Sequence, residues 1–318
     1  MSEVILFGEP MALFVADTVG PLEDVEHFTK SLAGAEVNVC IGLSRLEHKV
    51  TYITRLGEDP LGRYIEKFLK KEDIGTEFIT FDPVFRTGIQ LKNKVLEGDP
   101  YAPYYRKGSA ASHISPKEID AINFEGIKHV HITGIPPALS QSCRQATYRL
   151  IERAKENNVY ISFDPNLRPA LWESKEVMIE IINDLASKAD MVLPGISEGL
   201  ILMGSEKPEE IAEFYQKLGV KTVVIKLGEK GAYVKTEKEA YTVESFKVNK
   251  VVDTVGAGDG FAVGVISGRL EGLSLIDCVR RGNAIGAIQV QHISDNDGLP
   301  TKKELDAFIS SKGKILNA

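Results

Sequence analysis

Short runs rich in Val, Ile and Thr alternate along this chain with longer amphipathic stretches, and that alternation constrains the fold more than any other feature. Residues 50–55, 126–132, 159–163, 189–193 and 221–226 read as strands, while 60–71, 141–157, 175–187 and 208–218 have helical spacing with turn signals at their ends. Strand followed by helix followed by strand implies a parallel sheet with helices packed on it, an α/β architecture. After a hairpin-like pair at 232–236 and 239–243, three helical stretches follow near 258–270, 275–292 and 301–310.

Two segments break this rhythm. Residues 11–16 with 27–32, and 86–94 with 102–107, look like four short strands without helices between them. Such strands cannot easily join the main parallel sheet, so they are expected to form a small separate sheet that covers a site or pairs with a partner's flap. The chain thus reads as one domain over 1–318, with lid strands from about 11–32 and 86–107 and no internal repeat.

Apolar residues make up 43% and charged residues 26%, which excludes disordered and fibrous classes. The 38 Lys+Arg against 45 Asp+Glu give a net charge of −7. An acidic chain without a basic run lacks the footprint of a nucleic-acid binder, yet leaves room for a local cationic pocket. No apolar run reaches the ~20 residues of a membrane span. The first ten residues enter a strand-like run without a basic leader or cleavage site, so a cytoplasmic protein is expected. Cys40, Cys143 and Cys278 lie far apart with no C-x-x-C pair, and read as small buried apolar residues.

The most informative stretch is Asp253-Thr254-Val255-Gly256-Ala257-Gly258-Asp259-Gly260-Phe261. Small residues let a backbone approach a ligand, and the periodic run from Phe261 marks a helix start. A helix N-terminus with free N–H groups binds anions, and Asp259 sits in its first turn. There a carboxylate can take the proton of an attacking hydroxyl while the N–H groups stabilise a transferred phosphoryl group. The alternative is an acidic residue that merely complements the helix dipole, beside glycines needed for a tight turn. The chain has no G-x-x-x-x-G-K-[ST] P-loop and no G-x-G-x-x-G after its first strand.

This motif, together with Gly34-Ala35-Glu36-Val37-Asn38 and Arg55-Leu56-Gly57-Glu58-Asp59-Pro60-Leu61-Gly62, strongly resembles the ribokinase-like, or PfkB, carbohydrate kinase family, in order and over nearly the whole chain. The resemblance implies a central, mostly parallel sheet flanked by helices with a β-sheet lid over the sugar site. It also implies Asp259 as catalytic base, with Gly256, Ala257 and Gly258 beside it. Tyr104-Tyr105-Arg106-Lys107-Gly108-Ser109-Ala110-Ala111-Ser112, Asp164-Pro165-Asn166-Leu167-Arg168-Pro169-Ala170-Leu171-Trp172 and Gly298-Leu299-Pro300 look most like the members that phosphorylate the C6 hydroxyl of 2-keto-3-deoxygluconate. Fructokinases share the D-P-N-x-R-x-x-L-W element, so a fructokinase or another sugar kinase is the alternative. A catalytically silent sugar or nucleotide sensor is a third reading, and the intact Asp259 speaks against it.

The resemblance places Gly34, Ala35 and Asn38 on the sugar, where the bland alternative is a turn with Asn38 at a helix start. Ala35 stands where relatives often have a second glycine. Arg106 on the lid and Arg168 after the strand at 159–163 would grip a carboxylate from two walls, because the guanidinium fork suits that group. Tyr104 would pack on the sugar, with Gln90 and Asp295 as further candidates. For ATP, the turn Lys226-Leu227-Gly228-Glu229-Lys230-Gly231 and Asn283 are expected on the nucleotide side, with Gly256 and Gly258 at the phosphates. Glu198 is the candidate for Mg2+ through bound water, although Gly195 stands where relatives carry an asparagine; a monovalent cation such as K+ is left open. His129 and His131 share one strand face, and without a third ligand they read as structural. The expected partners are a sugar acid, ATP and a second copy meeting it through the lid.

Overall fold

The computed structural model of the protein describes residues 2–96 and 100–313. Met1, the stretch 97–99 between the last two expected lid strands, and 314–318 lie outside the described residues.

The strands are β1 (Val4–Phe7), β2 (Met11–Val19), β3 (Phe28–Ala33), β4 (Val50–Gly57), β5 (Ile79–Asp82), β6 (Ile89–Lys94), β7 (Tyr104–Tyr105), β8 (His129–Thr133), β9 (Tyr160–Asp164), β10 (Met191–Val192), β11 (Thr222–Lys226), β12 (Ala232–Thr236) and β13 (Ala240–Val243). The helices are α1 (Ala35–Arg45), α2 (Pro60–Lys71), α3 (Pro116–Asp120), α4 (Pro136–Leu139), α5 (Gln141–Glu156), α6 (Lys175–Ala186), α7 (Ile196–Met203), α8 (Pro208–Lys217), α9 (Ala257–Leu270), α10 (Leu275–Gln289) and α11 (Lys302–Gly313). Among the described residues nine strands form the central sheet, in the order β13-β12-β11-β10-β9-β8-β1-β4-β5. It is parallel from β11 to β5, with β12 and β13 added antiparallel at one edge.

Every residue of β1 and β8 is buried, as expected for strands covered on both faces. The two-residue period of β1 shows how: Ile5 and Phe7 pack with α5, α6 and α8, whereas Val4 and Leu6 pack with α1, α2, α9 and α10. Local sequence sets the helix starts. Asp59 accepts hydrogen bonds from Leu61 and Gly62 N–H ahead of α2, and Ser140, Ser174 and Ser274 cap α5, α6 and α10 in the same way.

The chain builds outward in both directions from β1, through β4 to β5 and through β8 to β11. An open α/β sheet of this kind holds ligands in the crevice beyond the carboxyl ends of its strands. The four-stranded lid stands there, ordered β3-β2-β6-β7. Its middle pair, β2 and β6, is parallel and its outer pairs are antiparallel. Its own apolar cluster is small: Met11, Leu13 and Ala33, with Val15 packed on them.

Besides the short helices α3 and α4, which the sequence reading left unassigned, two elements depart from the sequence expectation. Residues 79–82 add an edge strand to the central sheet, and 196–203 form a helix. β5 has no fully buried residue and no inward-outward alternation to betray it, while α7 is apolar nearly all round. β7 is two residues long within the longer strand expected at 102–107, and β10 two within 189–193.

Candidate active site

Two cavities meet at the N-terminus of α9. The first, of about 580 Å³, lies between the strand ends and the lid; the second, of about 770 Å³, lies between the β11–β12 turn and α9–α10. Lys226, Thr254 and Gly258 line both.

The junction is built by the turn before α9. Gly256 caps the helix in the left-handed region at φ 78°, and a Cβ there would lie 2.4 Å from the Asp295 carbonyl oxygen, so both conformation and space demand glycine. Gly258 differs: a Cβ would meet only the Lys226 Nζ, at 3.6 Å, so the chain itself leaves that space clear. Among the described residues the N–H groups of Gly258 and Asp259 have no hydrogen-bond partner. Two free donors at the positive end of a 14-residue helix form a ready anion site.

Asp259 stands beside these donors, 8% exposed. Asn38 Nδ2 donates to its Oδ2 at 2.8 Å, and Asn166 Nδ2 to its Oδ1 at 3.3 Å. Burial pushes its carboxyl up to about 6, helped by the negative charge of Asp164, while the Asn38 hydrogen bond, Arg168 and Lys226 restrain the rise. Lys226 Nζ lies 2.7 Å from Asp164 Oδ2; burial opposes its charge, but Asp164 and Glu198 outweigh this and raise its pKa. A carboxylate that is mostly ionised at neutral pH, next to an anion site and a half-buried ammonium, can take a proton from a hydroxyl while negative charge moves alongside it.

Every site residue expected from the sequence lines one cavity or the other. Gly34, Ala35, Asn38, Gln90, Tyr104, Arg106, Arg168, Glu198, Gly256, Asp259 and Asp295 border the first; Gly228, Gly231, Ala257 and Asn283 border the second; Lys226 and Gly258 belong to both. The two arginines are not equivalent. Arg106 donates from Nε to Glu9 Oε2 at 2.7 Å, and its Nη2 lies 2.6 Å from the same oxygen. Arg168 donates from Nη1 to the Asn166 and Leu167 carbonyls and makes no ion pair among the described residues. Asn283 donates from Nδ2 to the Val243 and Glu244 carbonyls, so its amide braces the wall of the second cavity. Asp295 gives its carboxylate to Lys92 at 3.1 Å.

Sequence reasoning did not single out Glu9, Glu36 or Lys92 as site residues, although all three line the first cavity. Among the described residues Glu9 Oε1 and Glu36 Oε2 are buried acceptors without a partner, poised for hydroxyl donors. Burial raises the Glu36 carboxyl to about 7, against the hydrogen bond from Thr133 Oγ1. Glu36 lay inside a motif already noted, whereas nothing local marks Glu9 or Lys92.

Among the described residues no three His, Cys, Asp or Glu side chains group to hold a metal. Glu198 accepts from Leu167 N–H at 2.9 Å and from Gly195 N–H at 2.7 Å, so its carboxylate already closes the α7 cap. Those oxygens, with Asp164 nearby, suit a cation that keeps its waters and arrives on phosphate rather than one in an all-protein cage. His129 and His131 each bond the same Ser162 hydroxyl in the core. No helix of the described residues is long and apolar enough to cross a membrane.

Residues 1–302 match the pfkB family carbohydrate kinase model. The chain is 49% identical to a 2-dehydro-3-deoxygluconokinase of Bacillus subtilis (strain 168), over 98% of this chain and 97% of that one. Among solved structures it is similar to a PfkB protein from Polaromonas sp. JS666, with TM-score 0.89 and 46% identity over 96% of this chain and all of that one. It is also similar to a putative ribokinase II from E. coli in complex with ATP and Mg2+, with TM-score 0.88 and 26% identity over 98% of this chain and all of that one. A helix-end anion site with an adjoining carboxylate, under a β-sheet lid, thus occurs in a chain that belongs to the pfkB family of carbohydrate kinases.

Proposed function

We propose that the protein transfers the γ-phosphoryl group of ATP to the C6 hydroxyl of 2-keto-3-deoxygluconate, the substrate class named by its 49% identical relative. The observation that carries this reading is Asp259 at the junction of a charged cavity and an apolar one, beside two free backbone donors. The first cavity offers what a polyhydroxy acid requires: Arg168 without a carboxylate partner, and orphaned acceptors on Glu9 and Glu36. The second is lined by Phe246, Val248, Phe261, Ala287 and Val290, a suitable bed for a nucleobase.

Asp259 accepts the proton as the C6 oxygen bonds to phosphorus and the bond from that phosphorus to the ADP oxygen breaks. The Gly258 and Asp259 N–H groups and Lys226 hold the negative charge on the transferred group. Magnesium, when bound with the nucleotide, neutralises phosphate charge, and Glu198 would hold it through water. Asn38 and Asn166 keep Asp259 oriented from both sides. Tyr104 and Gln90 close the lid side of the sugar, and Asp295 reaches it from the loop after α10. The reading places the reaction in the cytoplasm, with a second copy covering the lid, whose outer strands β3 and β7 present open edges.

A coupled ATP-consumption assay across 2-keto-3-deoxygluconate, fructose, ribose and adenosine tests the reading. The keto-deoxy acid is expected to give the highest kcat/KM, and a preference for fructose or another neutral compound would overturn it.

A further inference from the structure

Lys92 is a buried charge that nothing in the local sequence marks. It sits on β6 of the lid, its side chain 3% exposed, and its Nζ lies 2.7 Å from Asp253 Oδ2 and 3.1 Å from Asp295 Oδ1, donating also to the Ile293 carbonyl at 3.2 Å. Its two carboxylate partners belong to the two segments that shape the anion site. Asp253 opens the turn into α9, and its Oδ1 accepts from Val255 N–H at 3.0 Å. Asp295 lies on the loop after α10, and its carbonyl oxygen is the atom that leaves no room for a side chain at Gly256. Gln289 Nε2 ties the same two segments, donating to the Ser294 and Val255 carbonyls.

We propose that Lys92 is a positioning residue, a charged tether through which the lid sets the shape of the anion site. Two buried carboxylates close to each other repel unless a cation stands between them, and the lid supplies that cation from within the chain. When β6 is seated, the ammonium draws the 253–256 turn and the 293–295 loop together; when β6 lifts away, both carboxylates lose their counter-charge and the Gly256 seat loosens. A closed lid and a competent anion site are then one state rather than two. The inference rests on the kinase reading for its rate consequences alone.

Two measurements test it. The first is amide hydrogen exchange of the ligand-free protein, which requires no turnover. In Lys92→Met, which keeps the stem and removes the charge, the amides of β6 and of 253–256 are both expected to exchange faster than in wild type. Faster exchange in β6 with the 253–256 turn unchanged overturns the tether. The second is steady-state kinetics. Lys92→Met is expected to lose about tenfold or more in kcat with a smaller change in the sugar KM, the scale of coupling found within charged networks. Lys92→Arg is expected to recover part of that loss, and methylammonium to raise the turnover of Lys92→Ala but not of wild type. Wild-type kcat in a folded Lys92→Met overturns the proposal, as does a kcat loss that neither arginine nor methylammonium relieves. If Lys92→Met does not fold, the double variant Lys92→Met/Asp295→Asn removes both charges and carries the exchange measurement. A wild-type protein that turns over no sugar would count against the proposed function and leave the exchange result to decide the tether.

Discussion

The two cavities that meet at α9 are built on opposite principles. The first is lined by charged side chains, several of them already engaged with the protein: Arg106 with Glu9, Lys92 with Asp253 and Asp295, Lys226 with Asp164. In the second, apolar side chains and the glycine turn at 228–231 make much of the wall, and the Asn283 amide is turned toward backbone carbonyls. Discrimination would come from the groups left without a matching partner among the described residues, Arg168, Glu9 Oε1 and Glu36 Oε2, because a ligand lacking the matching group leaves buried polar atoms unpaired. An apolar wall accepts any flat partner of suitable size, which is what a shared phosphoryl donor requires. On the proposed function, substrate identity would be read in the lid-side cavity and the phosphoryl donor held in the other.

The largest expected effect lies at the boundary between the two. Asp259→Asn should bind sugar and ATP but lose at least ~100-fold in kcat, the usual value of general-base assistance. Near-normal turnover in the purified variant would remove Asp259 from the chemistry and with it the link between the cavities.

Within the first cavity, Arg168→Lys should reduce kcat/KM for the acid sugar by roughly 1.5 to 3 kcal/mol, since lysine keeps charge but loses the fork. Arg106→Lys should cost less on that sugar, because Glu9 already takes its Nε and Nη2. Fructose turnover should change little in either variant. Equal losses on both sugars in both variants would show that neither arginine reads a carboxylate.

The pH profile tests the same site without mutation. Asp259 must be ionised to accept a proton, and its carboxyl is raised to about 6 by burial and by Asp164. Lowering the pH through 6 converts it to the inactive acid, so kcat/KM should fall toward tenfold per pH unit on that side. A flat profile down to pH 5 would place the ionisation elsewhere.

The smallest effect is expected on the donor side. Ala287→Leu, which fills part of the apolar wall, should raise the KM for ATP several-fold and leave the sugar KM unchanged. A change in sugar preference would break the division between the cavities.

Much of this was legible in the chain because it was written locally. The strands at 50–55, 159–163 and 221–226, the lid strands and the α9 start all carry their own periodicity or glycine signals, and all appear within a few residues of their expected places. β5 and α7 escaped because one is an exposed edge strand and the other an apolar helix with little polar face. The ion pairs escaped for a different reason. Glu9 and Arg106 are 97 positions apart, and Lys92 and Asp253 are 161 apart, so no window of sequence contains both members. Arg106 therefore read as free when it was already half-committed, and Lys92 read as one more polar residue on a short strand.

The parallel pairing of β2 with β6 also bears on how the molecule assembles. It joins Ala12 to Ile89, and the intervening chain contains α1, β4, α2 and β5. That ladder closes a long loop, so its pairing carries a closure entropy that local contacts do not, and the lid is expected to form late. Its separate apolar cluster, Met11, Leu13 and Ala33 with Val15 packed on them, is small, the setting in which local opening is expected. Were the lid to open alone while the nine-stranded sheet stays intact, sugar entry and sub-global unfolding would be the same motion.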